Sequence, residues 1–410
     1  MPRILFCLLF LTGFVYVSAD EGALRVRKGP SELYNQYDLI EFDIEWQREF
    51  TDPYDTEQNI IRIEIIPPSR KPFHINGFYT RDFTRSLEAN TEKLTPRGAP
   101  YWKARYCPQE IGLYSWTVYA LVNGKKIFRE KGGRFRVRKK KARGFIRIGD
   151  SGRYFRFQDG TLYFALGHNL CWPVPPKKGT FRYDEYLRLL EANRENFCRI
   201  WLCSWGIGID TSAAETFDLA DAWRLDHIFT QALDRNIFIL LCLENFLDFT
   251  DNEKRKHHPY WNSSGGTISS PSEFLSDPAA KRYYRKKIRY MISRYSAYRS
   301  LMAWELWNEV DYVFKQDAQL LAFLRESAAF LKQNDLYSHP VSVSLGIKNI
   351  WEELWQSPEM DFVQYHDYVH RIGAVTDTDE YDGSALTINK SPALMKFKKP
   401  VLFSEFGYNG

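Results

Sequence analysis

Cysteine is scarce. The 410 residues hold six, and apart from Cys7 near the start these are Cys107, Cys171, Cys198, Cys203 and Cys242, with no C-x-x-C pair. That spacing excludes a cysteine zinc module and a disulfide-stapled miniature fold, while a single disulfide stays open. Net charge is scarce as well: 56 basic against 51 acidic side chains leave +5, which singles out no nucleic acid partner. After the first twenty residues no run is apolar enough to span a bilayer. No Gly-x-Gly-x-x-Gly follows the first strand of the second half, which argues against a dinucleotide cofactor. The adjacent His257 and His258 lack partnered carboxylates in sequence, so no metal is assigned. No organic cofactor is implied either.

Aromatic residues, in contrast, make up 16% of the chain, and hydrophobic residues 44%, enough to fill one large core and a smaller one. Residues 1–19 carry one early charge, Arg3, then an apolar run ending in Ser18 and Ala19. This is the pattern of a cleavable signal peptide, and it predicts a secreted or periplasmic protein with no membrane span after cleavage.

From Tyr37 to Val137 the chain reads as short alternating runs, such as Leu39–Trp46 and Tyr114–Val122, punctuated by Pro and Gly. Period-two alternation with regular turns predicts a β-sandwich. Asn123-Gly124 between two such runs predicts a tight type I′ hairpin. The basic run Arg134–Gly144 is read as a solvated strand end leading into a linker. After residue 150 the rhythm changes to apolar strands alternating with helical patterns. Strands are expected at 163–167, 197–202, 237–243, 302–307, 341–345, 362–365 and 401–404, and helices at 183–193, 222–235, 279–295 and 317–333. Repeated units of this length predict a parallel (β/α) barrel. The expected division is a signal peptide over 1–19, a sandwich over 22–140 and a barrel over 145–410.

Reacting groups in such a barrel sit at the carboxyl ends of its strands. Two strands lead to glutamates there, through Trp304-Glu305-Leu306-Trp307-Asn308-Glu309 and Val401-Leu402-Phe403-Ser404-Glu405. By strand order these are the fourth and the seventh. An Asn-Glu pair closing strand four and a glutamate closing strand seven resemble the clan A glycoside hydrolases, close to the cellulase-like family five. The stretch Arg294–Glu309 is similar to the approach to strand four in those barrels, and the front of the chain resembles the Ig-like domain that precedes many of them.

The resemblance implies a retaining glycosidase that cleaves β-linked oligo- or polysaccharides by double displacement, with Glu405 as nucleophile and Glu309 as acid/base. It further implies that Arg199 holds the nucleophile, that Asn308 meets a sugar hydroxyl, and that His366 and Tyr368 belong to the site. His168 and Asn169, ending strand one, are expected near a substrate hydroxyl. Trp172 and Trp205, on the loops after strands one and two, are expected to form an aromatic sugar platform. Two departures stand out. Strand three ends in Glu244-Asn245 where many family members have a histidine, and the chain stops at Gly410, so strand eight of the expected (β/α)8 barrel is missing. Two further readings remain open: a carbohydrate-binding protein of the same fold with impaired turnover, and a metal-dependent barrel hydrolase.

Overall fold

The computed structural model describes residues 24–409 apart from 51, 131, 211–215, 255–257, 348 and 371–382. The expected signal peptide therefore lies outside the described residues. In the first half, alternation becomes two facing sheets. One contains β1 (Leu24–Lys28), β3 (Ile40–Trp46), β7 (Thr91–Tyr106) and β6 (Phe78–Glu88). The other contains β2 (Leu33–Asn35), β10 (Arg134–Arg138), β8 (Gly112–Val122), β4 (Asn59–Ile66) and β5 (Phe73–Asn76), with β9 (Lys125–Glu130) beside β8. Pairing is antiparallel except between β2 and β10. Ile40, Phe42 and Ile44 of one sheet meet Ile61, Ile63 and Ile65 of the other in a common core, as period two requires. Asn123 and Gly124 both take positive φ, 49° and 73°, so the β8–β9 turn has the twist a two-residue hairpin needs.

In the second half β14 (Gly167–Asn169), β15 (Phe197–Trp201), β16 (Phe238–Cys242), β17 (Leu301–Glu305) and β18 (Val341–Ser342) form a parallel sheet in that order. A second parallel pair, β19 (Val363–His370) and β20 (Val401–Asn409), continues it. Asp361 N–H and Ser342 Oγ bridge β18 to the start of β19, at 2.8 and 2.7 Å. Every residue of β15, β16 and β17 is buried, because one face lines the interior and the other meets helices. Those helices are α1 (Thr180–Ala192), α2 (Leu219–Asp234), the short α3 (Leu247–Thr250), α4 (Pro278–Tyr295), α5 (Ala318–Asn334), the short α6 (Glu352–Gln356) and α7 (Gly383–Met395). Asp218, Asp277 and Asp317 start α2, α4 and α5 by accepting the first free backbone N–H groups.

Strand one differs from expectation. Tyr163 belongs to a small antiparallel sheet of β11 (Ile146–Ile148), β12 (Phe155–Phe157) and β13 (Leu162–Tyr163), and the barrel begins only at Gly167. Gly160, at φ 91°, turns the chain back between β12 and β13. This sheet packs Phe155, Phe157 and Tyr163 on Phe197, Phe238 and Phe362 at the starts of three barrel strands, closing the end opposite the site. Between β14 and β20, among the described residues, no strand fills the seam. A cavity of about 430 Å³ lies there, lined by Phe164, Leu166, Met395, Val401 and Phe406. All five cysteines after Cys7 are free and buried. No described helix is long and apolar enough to cross a membrane.

The sandwich sits on the barrel through charge as well as apolar contact. Arg105 alternates with the core-facing Ala104 and Tyr106 on β7, so it points out of the sandwich and reaches Asp226 of α2 at 2.6 Å. Arg294 of α4 binds the same carboxylate at 2.7 Å. Burial opposes the charge on Asp226, but the two guanidinium groups outweigh it and hold the carboxyl at about 2. Glu244 is also held at about 2, against its burial, by Lys287 and His258. A folded pKa below the unfolded one contributes stability that is complete above the ordinary values of 3.8 and 4.5 and is lost as pH falls through them toward 2. We predict a thermal midpoint that is nearly flat from neutral pH to about 5 and drops steeply below about 4, followed by calorimetry. A midpoint that stays flat to pH 2.5 would contradict this role for both pairs.

Candidate active site

Period two on β15 sends Arg199 and Trp201 to the barrel interior while Cys198 and Ile200 pack outward. Arg199 is fully buried and organises the floor. Its Nε and Nη2 bind Glu305 at 2.6 and 2.7 Å, and Nη2 also donates to Asn308 Oδ1 at 2.6 Å. Its Nη1 donates to Glu405 Oε1 and, at 3.3 Å, to Asn169 Oδ1. One guanidinium thus ties four strands together, and its planar fork suits that task better than a lysine. The other Glu405 oxygen accepts the Tyr368 hydroxyl at 2.6 Å. Burial disfavours charge on Glu405, but His366 and Arg199, together with the Tyr368 hydroxyl, hold its pKa below the ordinary carboxylate value.

Glu309 lies four residues past the end of β17, in left-handed backbone conformation at φ 50°, ψ 50°. A residue with a Cβ occupies that region only when its surroundings hold it there. Its N–H donates to Ser344 Oγ at 3.0 Å, and Asn308 N–H donates to the Glu244 carbonyl at 2.8 Å. The turn brings the Glu309 carboxyl to His366, whose Nδ1 is 2.9 Å from Oε1 and whose Nε2 is 2.9 Å from Ser404 Oγ. One oxygen of Glu309, one of Glu405 and a His366 nitrogen all lie within 4.8 Å of one another.

Asn169 joins this set, its Nδ2 donating to the Ser404 carbonyl at 2.8 Å. His168, one residue earlier, has the opposite strand phase. It turns outward to Glu195 at 2.6 Å, away from the glutamates with which the sequence reading grouped it. Trp172 and Trp205 do come together, stacked at 4.7 Å and 22°. Lys254 stands 4.8 Å from the Trp205 ring. Trp201, 6.4 Å from Trp172, was not singled out by sequence beyond being one of many tryptophans, although the Arg199-x-Trp201 spacing carries the signal. Its Nε1 and the Asn308 Nδ2 are buried donors with no hydrogen-bond partner among the described residues. Ser344 and Ser404 were also missed, since serine in a strand has no distinctive pattern.

A second acidic group, Asp210, Glu244 and His258, lies beside the site. Lys287 reaches it from α4, binding Asp210 at 2.7 Å, Glu244 at 2.8 Å and the Leu243 carbonyl at 2.6 Å. A tethered ammonium therefore takes the place a metal cation would have. Glu305 and Glu244 are both committed to structural cations, which leaves Glu309 and Glu405 as the carboxyl groups facing each other.

No protein-family model matches the chain. It is 24% identical over 286 residues to mannan endo-1,4-beta-mannosidase 2 of Arabidopsis thaliana, covering 61% of this chain and 66% of that protein. It is 28% identical over 199 residues to mannan endo-1,4-beta-mannosidase 4 of Oryza sativa subsp. japonica, covering 45% and 42%. The matches thus span two-thirds or less of these relatives. Among solved structures, a candidate glycoside hydrolase from Bacteroides vulgatus superposes with a TM-score of 0.60 at 16% identity, over 90% of this chain and 64% of that one, so the likeness takes in the sandwich as well as the barrel. The likeness is to cellulase-like clan A glycoside hydrolases, as the strand-four motif implies.

Proposed function

We propose that this chain is a retaining β-glycosidase that hydrolyses β-1,4-linked mannan, with Glu405 as nucleophile and Glu309 as acid/base. The observation that carries the reading is the approach of the two carboxyl groups to within 4.8 Å, with Glu405 held ionised. Retaining enzymes place the pair about 5–5.5 Å apart so that one can attack carbon directly, whereas inverting enzymes leave about 6.5–9.5 Å for a water molecule.

Glu405 attacks the anomeric carbon while Glu309 passes a proton to the departing glycosidic oxygen. Glu309 then takes a proton from water, which displaces Glu405. Arg199 and Tyr368 keep the nucleophile charged and aimed through the first step. His366, bridging Glu309 and Ser404, fixes the acid/base carboxyl. Asn308 Nδ2 meets a ring hydroxyl beside the reacting carbon, and Trp172 and Trp205 offer an aromatic face on the side of strands one and two. No step calls on a metal or an organic cofactor. The substrate class rests on the relatives' names and the chemistry on this chain's own residues.

Reducing ends should be released from β-1,4-mannan faster than from β-1,4-glucan or xylan, measured by reducing-sugar assay. Proton NMR of the first product should show the β-anomer. An initial α-anomer would reject double displacement, and equal rates on all three polymers would reject the mannan assignment.

A further inference from the structure

A half-exposed aromatic ring stands directly beyond the acid/base residue, and nothing in the sequence reading marks it. Tyr312 ends the 3-10 turn Val310–Tyr312 that follows Glu309. It is 51% exposed although its position is closely defined. Its hydroxyl donates to the Gly346 carbonyl at 3.1 Å, and its ring meets Phe246 at 5.3 Å. The backbone of Gly346 lies against the ring: a Cβ there would stand 2.2 Å from Tyr312 Cε2 and 2.7 Å from Cζ. Asp311 secures that loop by accepting the Gly346 N–H at 2.7 Å and the Ile347 N–H at 3.1 Å. Partial burial, then the charges of Glu309, Asp311 and Glu405, raise the Tyr312 phenol, so the ring lies within the field of both reacting carboxylates.

The geometry points to Tyr312, backed by Phe246 and Gly346, as the platform for the first sugar ring of the leaving group. This rests on the roles proposed for Glu309 and Glu405. The acid/base protonates the bridging oxygen, so the leaving sugar extends past Glu309. Trp172 and Trp205 lie on the loops after strands one and two, on the side of Arg199, and serve the other end of the substrate. A pyranose presents an apolar C–H face that an aromatic ring covers, and a ring already locked in place loses little entropy when it does so.

The test compares mannohexaose, which fills the leaving-group side, with β-mannosyl fluoride, which has no leaving-group sugar. In Tyr312→Ala, kcat/KM for mannohexaose should fall about tenfold relative to that for the fluoride, mainly through KM. Gly346→Ala should move the ratio in the same direction by displacing the ring. Tyr312→Phe keeps the ring and should keep most of the ratio. Parallel changes on both substrates, no change in the ratio, or a phenylalanine variant as weak as the alanine one would overturn the platform while leaving the hydrolase reading intact. A wild-type protein inert toward both compounds would remove the hydrolase reading and the platform with it.

Discussion

Glu405→Ala is expected to abolish turnover of every β-glycoside, by a factor on the order of 10⁴ or more. The magnitude follows from the surroundings. Glu305, the nearest other carboxylate at the floor, is held by two Arg199 hydrogen bonds at 2.6 and 2.7 Å and cannot take over the attack. In the proposed mechanism Glu309 stands on the leaving-group side. Glu309→Ala should behave differently, because it removes the proton donor and leaves the nucleophile. With an acidic phenol as leaving group the enzyme should still be glycosylated, and the slow step becomes water attack without a base, a loss of about 10²- to 10⁴-fold. Azide needs no base and should restore turnover, yielding the β-glycosyl azide. In Glu405→Ala the same anion enters from the vacated side and should give the α-glycosyl azide. NMR of the two products decides the assignment: an α-azide from Glu309→Ala would exchange the two roles or discard both.

The largest stability effect is expected at the seam between sandwich and barrel. Asp226→Asn should lower stability by about 3 kcal/mol, because it leaves two buried guanidinium groups facing a neutral amide. Arg105 keeps Glu41 at 2.9 Å, and Arg294 keeps the Tyr290 hydroxyl at 2.8 Å, so the loss should stay short of complete unfolding. The measurement is the shift in urea midpoint at constant slope. A change below about 1 kcal/mol would mean that the remaining partners suffice. Since Arg105 lies on β7 and Arg294 on α4, the variant should also loosen the sandwich against the barrel, seen as faster amide exchange along β7.

The elements read from sequence were those whose period is set by burial on a single face or by complete burial. Ile40–Trp46 alternates because one side of β3 meets a facing sheet, and the runs at 197–201, 238–242 and 301–305 are uninterrupted because both sides are covered. Tyr163 was misassigned because an apolar pair reads alike in a barrel strand and in the small sheet beneath it, and only Gly160's reversal tells them apart. His168 and Asn169 looked equivalent as neighbours at a strand end. Strand phase then put one on Glu195 and the other on Arg199.

The sequence reading placed both glutamates where an apolar strand run stops; the structure keeps Glu309 past the end of β17 but sets Glu405 inside β20, which runs on to Asn409 instead of ending at 404. Their separation was not legible: residues 309 and 405 meet only because β17 and β20 curve around one interior. Strand phase already set Glu305 deeper than Glu309, and the structure supplies the reason the two part. Both follow the same strand, and the left-handed turn at Glu309 lifts its carboxyl to His366 while Arg199 claims the deeper one. Tyr312 was invisible for the same reason, since only the fold sets the backbone of Gly346 against its ring. Local sequence determined which residues are buried, which strands form and which residues are able to donate or accept a proton, because these depend on neighbours along the chain. Which of those groups meet, and with what charge, was decided by tertiary structure, because distance and desolvation depend on neighbours in space.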